Sequence, residues 1–188
     1  MIKRSNIIIL LGLFVSNQNA SALSLEISGK IKHPTCQVKI NNIRNSPVIN
    51  LPSISINQLK DRNSVETTFE LKIYDCLRSL ELVQHWDVRF SPWGIDRNRE
   101  SLIPGFIPMI SGTADNIGLQ ILDQPSGSPI ANEFNSGTLI GYRLRDAIQI
   151  PPGQDQGVHT FAVRYLPLND TPQPGTLTSY LQYSIIYD

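Results

Sequence analysis

The sequence predicts an all-β sandwich. Three observations carry this. Short runs with strand character recur along the whole chain, turn residues separate them, and no long amphipathic helical pattern appears. The runs are Gln37 to Ile40, Val48 to Leu51, Val65 to Tyr74, Trp86 to Phe90, Ile117 to Leu122, Leu139 to Arg145, His159 to Leu166 and Leu177 to Tyr187. The punctuation is Asn41-Asn42, Ser91 to Gly94, Pro125 to Pro129, Pro151-Pro152-Gly153 and Pro172 to Gly175. Helical turns are expected only at Asn57 to Arg62 and Leu77 to Gln84.

The first 20 residues read as a secretion signal. Lys3 and Arg4 give the positive start, Ile7 to Val15 an apolar core, and Ala20, Ser21 and Ala22 a small-residue cleavage region, with cleavage after 20 or after 22. The alternative, an uncleaved anchor, is disfavoured because the apolar core is too short to span a bilayer. The remainder has the length of one domain. Losing Lys3 and Arg4 leaves 14 cations against 16 acids, a net −2. That balance argues against nucleic acid as a partner.

Both cysteines, Cys36 and Cys76, lie in the exported part. An isolated pair in an oxidising compartment predicts a disulfide closing a loop worth roughly 3–4 kcal/mol of chain entropy. The alternatives are two free thiols or a redox pair, and no Cys-x-x-Cys supports the latter.

The stretch Leu23 to Ile31 alternates strictly. Leu23, Leu25, Ile27, Gly29 and Ile31 occupy one face, and polar or charged residues the other. It would form the start of the mature chain, where ends ordinarily fray. It is either the first strand of its own domain or a strand meant for another. The final run alternates too, with Leu181, Tyr183, Ile185 and Tyr187 on one face to the penultimate residue.

In order and spacing these segments resemble the pilin subunits of the chaperone–usher pathway, of the type 1 fimbrial kind. The likeness rests on Ile27-x-Gly29-x-Ile31 ahead of Cys36, on Leu51 to Leu59, and on Phe69 to Cys76. It also rests on Gly112 to Asp123, and on Gly175 fourteenth from the end with Tyr187 penultimate. The resemblance implies an incomplete immunoglobulin-like β-sandwich (the pilin fold), completed by a donor strand from another chain. Residues 21–34 would be the donor-strand extension and residues 35–188 the pilin domain. The final strand, marked by Gly175, Leu181, Tyr183, Ile185 and Tyr187, would border the groove and dock on a chaperone. The implied partners are a periplasmic pilus chaperone, an outer-membrane usher, and neighbouring pilin subunits or the adhesin. The implied location is the cell-surface fimbrium, reached through the periplasm. There is no room for a second, lectin domain. The short extension and the bulky loop from Ser91 to Ile110 fit a minor adapter pilin linking adhesin to rod. A major rod pilin or a terminating subunit is the alternative within the family. In that loop, charged Asp96, Arg97, Arg99 and Glu100 precede Ile103, Phe106 and Ile107, an expected apolar anchor.

No enzyme chemistry is expected. His33, His85 and His159 are scattered without metal-ligand spacing, and there is neither a Gly-x-Ser-x-Gly elbow nor a phosphate-cradling loop. No cofactor is expected. Asp87, Asp96 and Glu100 could pair as acid and base in principle, but read as solvated. The rival of another class is a secreted β-sandwich carbohydrate-binding protein, with Trp86 and Trp93 as its candidate platforms; Trp86 is expected in the core.

Overall fold

The computed structural model describes residues 36–60, 65–94 and 102–187. The expected signal, the alternating stretch from Leu23 to Ile31, His33 and the charged residues Asp96 to Glu100 lie outside them.

Eleven strands and one short helix follow in order: β1 (Gln37–Ile40), α1 (Ile56–Lys60), β2 (Thr67–Tyr74), β3 (Gln84–Pro92), β4 (Phe106–Ile107), β5 (Ser111–Gly112), β6 (Ile117–Leu122), β7 (Asn132–Asn135), β8 (Thr138–Ile150), β9 (Gly157–Pro167), β10 (Leu177–Thr178) and β11 (Leu181–Tyr187). All pairings are antiparallel. One sheet has the order β1-β2-β9-β6-β4, the other β11-β3-β8-β7, and β5 pairs with β10 in a small third sheet. The expected all-β sandwich is what forms.

The alternation that marked each strand decides which side it buries. On β2, Phe69, Leu71 and Ile73 face inward while Thr68 and Glu70 are exposed. On β3, Trp86, Val88 and Phe90 meet them from the other sheet. Phe90 stands edge-on to Phe69 at 6.4 Å and to Phe161 of β9 at 5.0 Å, so three strands lock through aromatic rings across the sandwich. Tyr142 of β8 is fully buried and donates its hydroxyl to the carbonyl of Phe106 at 2.5 Å. Burial pushes its phenol pKa well up, so it stays a neutral donor. Phe106 and Ile107 are the apolar anchor expected of their loop, and β4 ties that anchor to β6.

Local chemistry explains the turns. Asn41 and Asn42 both take positive φ, 46° and 67°, the geometry of a tight two-residue reversal that asparagine tolerates. The side chain of Asn41 accepts the Glu70 N–H at 2.8 Å, fastening the reversal to β2. The helix α1 starts on a capping box. Ser55 Oγ accepts the Gln58 N–H at 3.2 Å, and Gln58 Oε1 accepts the Ser55 N–H at 2.9 Å. The second expected helical turn, at Leu77 to Gln84, does not form. The Leu82 N–H donates instead to Ser79 Oγ, and the Ser79 carbonyl accepts the Gly153 N–H, so the backbone is satisfied without a helix. The disulfide between Cys36 and Cys76 is formed, joining the start of β1 to the end of β2.

On the outer face of the second sheet, register brings four charges into a ladder. Arg89 and Arg143 lie directly opposite each other. Their repulsion is offset because Glu133 bonds both guanidinium groups and Asp87 accepts from Arg143 Nε at 2.7 Å. A bulge in β8 places Asp146 at φ 50°, and its N–H also reaches Asp87, at 2.8 Å. Burial works against the Asp87 charge, but the Asp146 N–H and the Arg143 guanidinium outweigh it and hold the carboxyl below the usual range.

Candidate functional site: an open apolar groove

Among the described residues the sandwich has an unsealed seam. A groove of about 1230 Å³ runs between residues 46–51 on one side and β10–β11 on the other. Its floor is the core itself: Phe69, Phe90, Ile107, Leu119, Ile121 and Val163. Among the described residues that line it there is no Asp, Glu, Lys, Arg or His. A charged or strongly polar ligand would therefore lose its hydration without gaining a partner. An apolar occupant gains the burial energy.

Both walls have the backbone of a strand that lacks a neighbour among the described residues. Residues 46–51 alternate, with Pro47, Ile49 and Leu51 turned inward and Val48 and Asn50 outward. The sequence predicts a strand over Val48 to Leu51, and the side chains behave like one. Yet among the described residues this segment joins no sheet and makes no backbone–backbone hydrogen bond. Tyr165 holds its far end, donating its hydroxyl to the Pro52 carbonyl at 3.2 Å. On the opposite wall, among the described residues, β11 pairs only with β3, and none of them pairs with its other edge. Its inward residues Leu181, Tyr183 and Ile185 pack against the core but remain half-buried, where a completed sandwich would bury them fully. An exposed apolar patch and an unpaired strand edge here coincide.

Of the final-strand residues singled out in the sequence, Leu181 and Tyr183 line the groove. Ile185 continues the same face toward the core. Tyr187 lies at the far end of β11, half-exposed, its ring 5.0 Å from that of Trp86. Gly175 precedes β10; a Cβ there would collide with the backbone of Thr113 and Ala114, so glycine permits that close approach. The final run expected from Leu177 to Tyr187 is broken at Ser179 and Tyr180. There the Ser179 hydroxyl donates to the Pro108 carbonyl at 2.8 Å, and the Trp93 N–H donates to the Tyr180 carbonyl at 3.0 Å. Leu177, Tyr180 and the whole 46–51 wall belong to the site, and individual sequence positions did not mark them as such. Their signal was alternation without a partner.

Other candidates are placed as follows. Trp86 is buried and Trp93 is exposed at the groove end. His85 lies 3.3 Å from Asp146 on the ladder face, and the His159 ring meets the Asp123 carbonyl. Asp87 is committed to Arg143. Among the described residues no three His, Cys, Asp or Glu side chains come together as metal ligands.

No protein-family model matches the chain, and no curated protein matches it. Solved structures do. The chain is similar to the P pilus rod subunit PapA, at 8% identity and TM-score 0.49, over 82% of this chain and 99% of that one. It is also similar to the CupB6 tip adhesin from Pseudomonas aeruginosa, at 12% identity and TM-score 0.45, over 65% of this chain. The match spans 30% of that adhesin's length.

Proposed function

We propose that this chain is a structural subunit of a chaperone–usher fimbria, and that its groove is the acceptor for a strand from a neighbouring subunit. The groove carries this reading. Among the described residues its lining is uncharged, and it is flanked by two backbones that each lack a partner there. An extended segment laid between residues 46–51 and β11 would pair with both, seal the seam and bury alternate side chains in the floor. The alternation of Leu23, Leu25, Ile27 and Ile31 suits such a segment, with Gly29 where the strand comes closest. Residues 21–34 are accordingly the donor extension for the next subunit, and residues 35–188 the acceptor domain. Before assembly a periplasmic chaperone fills the groove, and the outer-membrane usher presides over its replacement. Position as a minor adapter between adhesin and rod is favoured by the bulky 91–110 loop. The role is mechanical rather than catalytic, contributing to adhesion at the cell surface.

The test is a thermal-shift titration of the purified, oxidised chain with a synthetic peptide of residues 21–34 or the corresponding strand of a related subunit. A saturable rise in melting temperature is expected from at least one. No shift with any alternating strand peptide would end the acceptor reading.

A further inference from the structure

Away from the groove, a second cleft of about 420 Å³ opens where β8 turns through residues 151–156 into β9. Its polar lining is Asn42, Glu70, Lys72, Gln149, Gln154 and Gln156. These side chains converge from the Asn41-Asn42 reversal, β2, the end of β8 and the 151–156 turn. Pro151 and exposed Val158 add apolar surface. Each of these places is fixed. The Asn41 side chain accepts the Glu70 N–H at 2.8 Å, and the Asn41 N–H donates to the Glu70 carbonyl at 2.9 Å. In the turn the Gln154 N–H donates to the Pro151 carbonyl at 3.1 Å. The Cys76 N–H donates to the Asp155 carbonyl, and Arg78 pairs with the Asp155 carboxylate at 2.6 Å. Gln149 is held in register opposite His85 of β3. The cleft is thus preformed, and filling it orders little new backbone.

Its charges balance. Lys39 stands directly opposite Lys72 in the β1–β2 register, but its ammonium lies over the Tyr74 ring, 5.2 Å from the centroid. The lining therefore holds one carboxylate and one ammonium. No ion pair among the described residues joins Glu70 to Lys72. An ionic ligand meets no net charge of opposite sign. A peptide finds no strand edge to extend, because β2 is already paired by β1 on one side and β9 on the other. Each carboxamide offers both a donor and an acceptor, which matches a ligand whose hydroxyls do the same.

We propose that this cleft binds a neutral sugar at the end of a glycan. Glu70 accepts from neighbouring hydroxyls, Lys72 donates to a hydroxyl or ring oxygen, and the carboxamides take the remainder. The C–H face of the ring lies on Val158 and Pro151. The inference does not depend on the donor-strand reading, since no residue of this cleft lines the groove.

The full oxidised chain, isotope-labelled, is titrated with the methyl glycosides of glucose, galactose, mannose, fucose and N-acetylglucosamine. N-acetylneuraminic acid serves as the acidic comparison. Side-chain carboxamide resonances are followed by NMR. Saturable shifts at Asn42, Gln149, Gln154 and Gln156 are expected with at least one neutral glycoside, with a Kd of about 1 mM. Glu70→Ala should weaken that binding at least about tenfold, through the loss of charge-assisted hydrogen bonds. Its melting temperature should match the parent's, because the Glu70 side chain is exposed. Gln154→Ala should weaken binding less. The site would be overturned by no saturable shift with any neutral glycoside up to about 50 mM. Shifts confined to resonances outside the cleft, or full affinity in both variants, would overturn it equally. Binding of N-acetylneuraminic acid alone would overturn the neutral class of ligand.

Discussion

Replacing Leu181 with glutamate separates the free chain from the filled one. In the free chain Leu181 is half-buried at an open groove wall, so a glutamate there keeps access to water and costs about 1 kcal/mol, the leucine burial already made. With a donor strand in place the same carboxylate faces a groove whose described lining residues include no cation. The cheapest escape is to take up a proton. From an ordinary glutamate pKa of about 4.3 that costs about 3.7 kcal/mol at pH 7, and about 1 kcal/mol at pH 5. The variant should therefore bind a donor peptide about 100- to 1000-fold more weakly than the parent at pH 7 and regain most of that loss by pH 5. Leu181→Gln should show a smaller loss with no pH dependence beyond the parent's. Isothermal titration of each variant across that pH range checks this. Unaltered affinity, or a loss that stays constant with pH, would refute the placement of the donor beside β11.

Cys36→Ser with Cys76→Ser releases a loop with a sequence separation of 40 and should destabilise the chain by about 4 kcal/mol, read from urea denaturation. Asp87→Asn should cost about 1–3 kcal/mol at neutral pH by removing the charged partner of Arg143. The Asp87 and Glu133 pKa values are both depressed on folding, Glu133 chiefly by its hydrogen bond from Arg89. Their stabilisation is thus full above about pH 4, the unfolded carboxylate range, and fades as pH falls further. The parent and Asp87→Asn should converge in stability on acid titration, and a constant gap would contradict the ladder's role. Gly175→Val should lower stability by about 1–3 kcal/mol in thermal melts, because its side chain collides with the backbone at Thr113–Ala114.

Much of the fold was legible because alternation and turn chemistry are local. The residues Gln37 to Ile40 and Ile117 to Leu122 are strands with the expected bounds, and α1 begins one residue before the expected turn. Strands β4, β5 and β7 were missed, and the expected final run was split into β10 and β11. The missed strands are two to four residues long; β4 and β5 are set by neighbours further along the chain, such as Gly112 beneath Leu177, and β7 is a short arm closed by a tight turn onto β8. The Leu77 to Gln84 stretch forms no helix, because its leucines share no single helical face and point to solvent rather than a core. The charge ladder needs the β3–β8 register to exist at all, so nothing near Asp87 or Arg143 in sequence announces it. For the site, Leu181 and Tyr183 were readable from the final alternation. The opposite wall was readable only as a strand, since its missing neighbour is not a residue of the described chain.

The bond between Cys36 and Cys76 also sets the path of mechanical load. If a fibre of such subunits were stretched, tension would enter a subunit from its leading segment at Cys36 and leave near β11. The sulfur bridge shunts that tension straight to residue 76, so residues 37–75, including the groove wall at 46–51, hang in a slack covalent loop. Pulling would then load both grips on the guest through the fold, while the covalent chain of the wall at 46–51 stays slack.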